Sequence, residues 1–183
     1  PLEFERYRAL GVHFAASVLA PPRSVGPFER HMSQDLKTCT DKLVLNLEDD
    51  APLEGPRAVF LIDIENPCWI LPTTELSRAT QLTAAVGQVP FNFQIGHDIE
   101  AIHLRPPHTP AGELEVRLDG CEGEPLAVLP LAAAAGNDAV TVLPAVALPA
   151  AVRSLKGAHS LCFTFTQHTL DPLWAIDWMQ LSP

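Results

Sequence analysis

Carboxylates crowd three stretches of this chain: Glu48-Asp49-Asp50, Asp63 with Glu65, and Glu113, Glu115 and Asp119. Two carboxyls cleave a glycosidic bond only if they face each other about 5–9 Å apart across a pocket. Adjacency in sequence does not arrange that. Carboxylate oxygens also hold calcium, which takes about six to eight ligands converging from several segments. Glu48-Asp49-Asp50 is read here as a solvated turn, because no Asp-x-Asp-x-Asp loop occurs. His97, Ile99, Ala101 and His103 fall on one face of a predicted strand, with the two histidines too far apart to share a metal. No Gly-x-Ser-x-Gly elbow is present. These motifs nominate no catalytic residues.

Binding chemistry is better represented. Aromatic faces stack on apolar ligand surfaces, and a few polar side chains fix orientation. The candidates are Trp69, Phe91, Asn92, Phe93 and Trp174. Trp69 follows Asn66-Pro67 and Trp174 follows Asp171-Pro172, so both start near loop ends. In Pro90-Phe91-Asn92-Phe93-Gln94 two amides alternate with the rings, facing a ligand's hydroxyls or a neighbouring strand's backbone. Packing in the core leads for each tryptophan, Trp178 included, because large aromatics mostly lie inside.

The four cysteines, Cys39, Cys68, Cys121 and Cys162, show no Cys-x-x-Cys spacing, which excludes a zinc ribbon or a thioredoxin-type motif. Free buried thiols are the preferred reading. Two disulfides, in any of three connectivities, are the alternative. A net charge of −10 argues against a nucleic-acid partner, which needs clustered Lys and Arg. No apolar run is long enough to span a bilayer.

Short strands must position these groups. Eighteen prolines and ten glycines break the chain and disfavour long helices. Strict alternation over Glu113–Asp119 places Leu114, Val116 and Leu118 on a dry face and Glu113, Glu115, Arg117 and Asp119 on a wet one. Further strands are predicted over 42–48, 58–64, 68–71, 90–95, 99–104, 125–130, 140–143, 160–166 and 174–181. Residues 74–86 fit a short helix or strands. Eight to ten strands spaced by turns predict an all-β fold, a jelly-roll β-sandwich. Residues 1–31 differ: a short helical segment at Phe4–Leu10, then a Pro-rich linker at 20–27. The opening Pro-Leu-Glu lacks an initiator Met, so the chain is read as a piece of a longer protein. Its compartment stays open, with periplasmic or secreted ahead of cytoplasmic.

Three motifs in order, Gly112–Asp119, Gly157–Phe165 and Ala175–Leu181, resemble the closing strands of family 6-type carbohydrate-binding modules. That resemblance implies a galactose-binding-like jelly roll over 32–183. Such modules commonly carry a structural calcium. Arg8-Ala9-Leu10-Gly11-Val12-His13-Phe14-Ala15 resembles the tail closing the catalytic barrel of family 20 glycoside hydrolases, the bacterial β-N-acetylhexosaminidases. Residues 30–36, 47–52 and 63–69 resemble the region that follows that barrel. The resemblance implies a non-catalytic C-terminal accessory domain whose partners are the upstream barrel and an N-acetylglucosamine-containing glycan. The alternatives are a self-standing carbohydrate-binding module and a sandwich with no ligand.

Overall fold

Strands account for nearly all the regular structure. The computed structural model describes residues 28–39, 44–48, 59–63, 67–91, 94–137 and 140–183. Twelve strands are described: β1 (His31–Met32), β2 (Lys37–Thr38), β3 (Val44–Glu48), β4 (Val59–Asp63), β5 (Trp69–Glu75), β6 (Gln81–Val89), β7 (Glu113–Leu118), β8 (Ala127–Pro130), β9 (Thr141–Val142), β10 (Val146–Ala147), β11 (Ala158–Phe165) and β12 (Leu173–Ser182). They form two antiparallel sheets. One runs β10-β6-β12-β4-β3, with β1 also pairing β12 and β9 pairing β6; the other runs β2-β5-β11-β7-β8. The molecule is a β-sandwich, as the strand count and turn spacing predict. The predicted N-terminal helix and linker lie outside the described residues. The described sandwich reaches back to Phe28, which packs against the core.

The core lies between the sheets. Leu161, Phe163 and Phe165 of β11 face inward beside Leu114 and Val116 of β7 and Trp69 and Leu71 of β5. The opposing sheet contributes Leu82, Ala84 and Val86 of β6 and Trp174, Ile176, Met179 and Leu181 of β12. The inward positions of β12 switch from even to odd numbers. A register shift between Ile176 and Trp178 against β6 accounts for the switch, because one extra residue flips every later side chain to the other face. Trp178 thereby leaves the central cluster and lies under the Arg30 guanidinium, 4.0 Å from the ring centroid.

Several expectations change. The segment around His97 and Ile99 is a 3-10 helix, Gly96–Ala101, and not a strand. His97 there meets Glu100 at i,i+3 spacing, 3.5 Å apart, which a strand would forbid. Pro90, Phe91, Gln94 and Ile95 lie outside any strand. The ambiguous 74–86 stretch joins β5 to β6 through a turn, and Leu76 and Ala79 in that turn are buried.

The largest correction concerns the wet face of β7. Glu113, Glu115 and Arg117 are all buried. Loops lie over them, and period-two alternation reports only that two faces differ in chemistry. Arg117 is satisfied there by Glu115 Oε2 at 2.7 Å, Gly123 O at 2.7 Å and Thr164 Oγ1 at 3.0 Å. A buried guanidinium needs this full set, since each unpaired donor would carry its desolvation cost. The cysteines also differ from the free-thiol reading. Disulfides join Cys39 to Cys68, just before β5, and Cys121, in the loop after β7, to Cys162 on β11.

Candidate functional site

A shallow cleft opens at one end of the sandwich, where β4 and β11 finish and β5 and β12 begin. It encloses only about 30 Å³ and is lined by Asp63, Pro67, His103, Leu104, Arg105, Phe165, Gln167, Leu173 and Trp174. Each lining residue has a local reason to be there. Asp63 ends β4, and its carboxylate accepts the Cys39 N–H at 3.1 Å. Pro67 lies two residues before Trp69. Residues 103–105 run alongside the end of β11: Arg105 bridges Thr166, and Gln167 N–H donates to the Arg105 carbonyl at 2.9 Å. The Arg105 guanidinium is held by the Cys121 carbonyl at 3.0 Å and by Glu122 Oε1 at 3.1 Å.

The floor is an aromatic stack. Phe165 lies parallel to Trp174, with centroids 6.1 Å apart, and edge-on to Trp69 at 5.4 Å. Trp69 is 1% exposed and belongs to the core. Trp174 is 5% exposed, so it supplies part of the cleft wall and no open platform. Both sit at strand starts, as expected, but the sheets close over them. Phe91 is half-buried outside the lining, and its N–H donates to Asp171 Oδ1 at 3.1 Å. Asn92 and Phe93 lie outside the described residues. Of the three described candidates, Trp174 lines the cleft.

Sequence reasoning weighed Asp63 only as a metal ligand or catalytic carboxylate and His103 only as a metal ligand, and passed over Arg105 and Gln167 altogether. A usable signal existed for Gln167. It opens the polar run Gln167-His168-Thr169 between two long strands, and loops at strand ends are where rigid scaffolds carry binding groups. Gln167 Oε1 is buried and accepts no hydrogen bond from the protein. A buried amide oxygen in that state costs stability unless a donor reaches it. The cleft therefore presents an apolar wall, an acceptor needing a donor, a carboxylate and a cation.

The end of β11 that carries this cleft is pinned from below. Thr166 donates its hydroxyl to the Glu113 carboxylate, and the Glu113 N–H donates to Thr166 Oγ1 at 2.8 Å. Burial pushes the Glu113 carboxyl up, but hydrogen bonds from Thr166, Thr109 and the His108 backbone outweigh it and hold the group below its ordinary range. Gly112 precedes this contact with φ +82°, against the Thr166 carbonyl.

A calcium site would draw on oxygens such as those of Asp63. Asp63 accepts a backbone N–H, and Asp49, Asp50 and Glu65 lie outside the described residues. No role is assigned to calcium.

No family model and no curated protein sequence matches this chain. Solved structures do. A family 6 carbohydrate-binding module from Clostridium cellulolyticum, in complex with xylose, superposes with TM-score 0.57 at 14% identity over 87% of this chain and 100% of that one. A β-1,3-glucan-binding CBM6 from Bacillus halodurans gives 0.56 at 13% identity, over 86% and 98%. A family 43 arabinoxylan arabinofuranohydrolase from Bacillus subtilis gives 0.57 at 18% identity over 87% of this chain, which spans 28% of that enzyme. This chain has the two-sheet β-sandwich fold of family 6 carbohydrate-binding modules.

Proposed function

We propose that this chain is a non-catalytic carbohydrate-binding domain whose end-on cleft holds one sugar unit of a glycan. The observation that carries the reading is Gln167 Oε1, a buried acceptor beside the Trp174 and Phe165 wall. A pyranose offers an apolar ring face and hydroxyl donors at its rim, which matches a wall plus a buried acceptor. Arg105 and Asp63 supply a donor and an acceptor for further hydroxyls. Among the described lining residues Asp63 is the only carboxylate, whereas glycosidic hydrolysis takes two.

The fold likeness supports the same class, because modules covered almost from end to end are sugar binders by their own descriptions. The finer reading makes this an accessory domain docked on a β-N-acetylhexosaminidase barrel. It rests on Arg8–Ala15, which lie outside the described residues, and no comparison supports it.

Calorimetric titration with xylo-oligosaccharides, β-1,3-gluco-oligosaccharides and chitooligosaccharides tests the proposal. Saturable heat with at least one series, lost in Gln167→Ala, is expected. Silence with all three leaves the ligand-free structural sandwich as the better reading. A preference for chitooligosaccharides would favour the hexosaminidase parentage over the self-standing module.

A further inference from the structure

We infer that the four cysteines form a second, redox-dependent site: two disulfides when oxidised, and a tetrahedral thiolate site for zinc when reduced. The four come from four segments: just after β2, just before β5, the loop after β7, and β11 itself. The two bridges abut. Cys39 Sγ lies 3.9 Å from Cys121 Sγ, across the gap between different disulfides. The sulfurs of Cys39, Cys68 and Cys121 all lie within 4.8 Å of one another, and Cys162 is bonded to the third.

Three of the four sulfurs are already close enough to share one metal ion. A zinc–sulfur bond of about 2.3 Å in a tetrahedron places neighbouring sulfurs about 3.8 Å apart. The Cys39–Cys121 edge already has that length. Cutting the two disulfides frees each pair to separate to the same edge by side-chain rotation, with the strands in place. Four soft thiolates in a tetrahedron select zinc over harder cations. Cys68 and Cys162 are buried while Cys39 and Cys121 are half-buried, so two ligands are shielded and two lie towards solvent, where an ion enters.

Zinc with four thiolates carries a double negative charge. Arg105 donates to the Cys121 carbonyl at 3.0 Å, and Arg117 is the direct cross-strand neighbour of Cys162. Asp63 opposes them, its carboxylate on the Cys39 N–H at 3.1 Å. Glu122 and Glu115 already pair with these two guanidiniums, so the cations offset nearby carboxylates and the site rests on sulfur geometry.

The chemistry balances. A dithiol reductant supplies four electrons and four protons, breaks both S–S bonds to give four thiols, and leaves as two equivalents of its own disulfide. One zinc ion then displaces the four thiol protons and gains four Zn–S bonds. No Cys-x-x-Cys spacing announces the site, because the sheet register brings the ligands together and local sequence does not.

The test reduces the whole chain with dithiothreitol, desalts it without air, and titrates Co²⁺ followed by Zn²⁺, with circular dichroism recorded throughout. The expected result is one Co²⁺ per chain, with the visible bands and sulfur-to-metal charge transfer of tetrahedral thiolate coordination. One Zn²⁺ displaces it, the β-sheet signal is retained or regained, and the oxidised chain binds nothing. A reduced chain that binds no cobalt, gives an octahedral spectrum, or binds without a β-sheet signal overturns the inference. Cys39→Ser with Cys68→Ser keeps the other bridge as a staple and should abolish stoichiometric binding when reduced. Tetrahedral cobalt in that variant also overturns it. If that variant does not fold, the wild-type spectra decide.

Discussion

Arg117 donates to Glu115 at 2.7 Å, and both side chains are less than a tenth exposed although the two residues sit two apart on one strand. Side chains two apart share a face, and here that face is covered. Truncating Arg117 to Ala leaves the Glu115 carboxylate buried and the Thr164 hydroxyl and Gly123 carbonyl without their donor. The expected cost is about 3–5 kcal/mol, read as a lower urea midpoint at unchanged slope. Arg117→Lys should recover only part, since an ammonium cannot reproduce a three-way fork. An Arg117→Ala midpoint within error of wild type would show that water reaches the pair.

Gly112 faces the opposite constraint, one of space. A Cβ there would run into the Thr166 backbone carbonyl, and φ is +82°. Gly112→Ala therefore combines backbone strain with a clash against a strand that cannot retreat. A loss of more than ~1 kcal/mol is expected. Gly120, which meets nothing within 4 Å, is the control: Gly120→Ala should be far milder in the same thermal melts.

The strand periods in the sequence foretold the core more fully than the surface. Leu161, Phe163 and Phe165 alternate and face inward, as do Leu114 and Val116. Four kinds of fact were not legible. The β12 bulge that reverses parity after Ile176 has no local marker, so nothing signals that Trp178, buried as expected, lies outside the central cluster. The cover over β7 comes from loops distant in sequence, so a charged face reads as wet. The cleft is assembled from the ends of four strands, and Gln167 is one amide among many until Arg105 is seen beside it. The disulfide partners are likewise set by register between strands.

Asp119 and His159 make a pH-dependent clamp on the turn between β7 and its loop. His159 Nδ1 lies 2.7 Å from Asp119 Oδ2, and the Ser160 N–H donates to Asp119 Oδ1 at 3.0 Å. The bond to Asp119 raises His159 above its ordinary 6.5, and the bonds from His159 and Ser160 lower Asp119 below 3.8. A raised histidine stabilises the fold fully below its unfolded value, and the gain disappears as pH climbs through its folded value. A lowered aspartate does so above its unfolded value, and loses the gain as pH drops through its folded value. The clamp should thus be strongest between about pH 4 and 6.5 and weaken on both sides. Imidazole NMR titration of Asp119→Asn should show His159 moving back towards its ordinary value. A His159 titration identical in wild type and Asp119→Asn would rule the clamp out.

Trp69 and Gln167 separate fold from binding. Trp69 packs edge-on to Phe165 at 5.4 Å in the centre of the core, whereas Gln167 lines the cleft from a loop. Trp69→Ala removes a large buried ring and leaves a cavity, costing about 3–5 kcal/mol. Trp69→Phe retains much of the volume, so it should keep the fold and any sugar affinity within about threefold, a change below 1 kcal/mol. Gln167→Ala removes an unsatisfied acceptor, so its stability should be unchanged or slightly higher while binding is lost. Chemical denaturation and calorimetry on the same three variants give the comparison. If Trp69→Phe abolishes binding at native stability, the ring touches ligand and the cleft extends deeper than the wall of Trp174. If Gln167→Ala is destabilised instead, its amide is bonded within the fold and the polar contact for a sugar must come from Arg105 or Asp63.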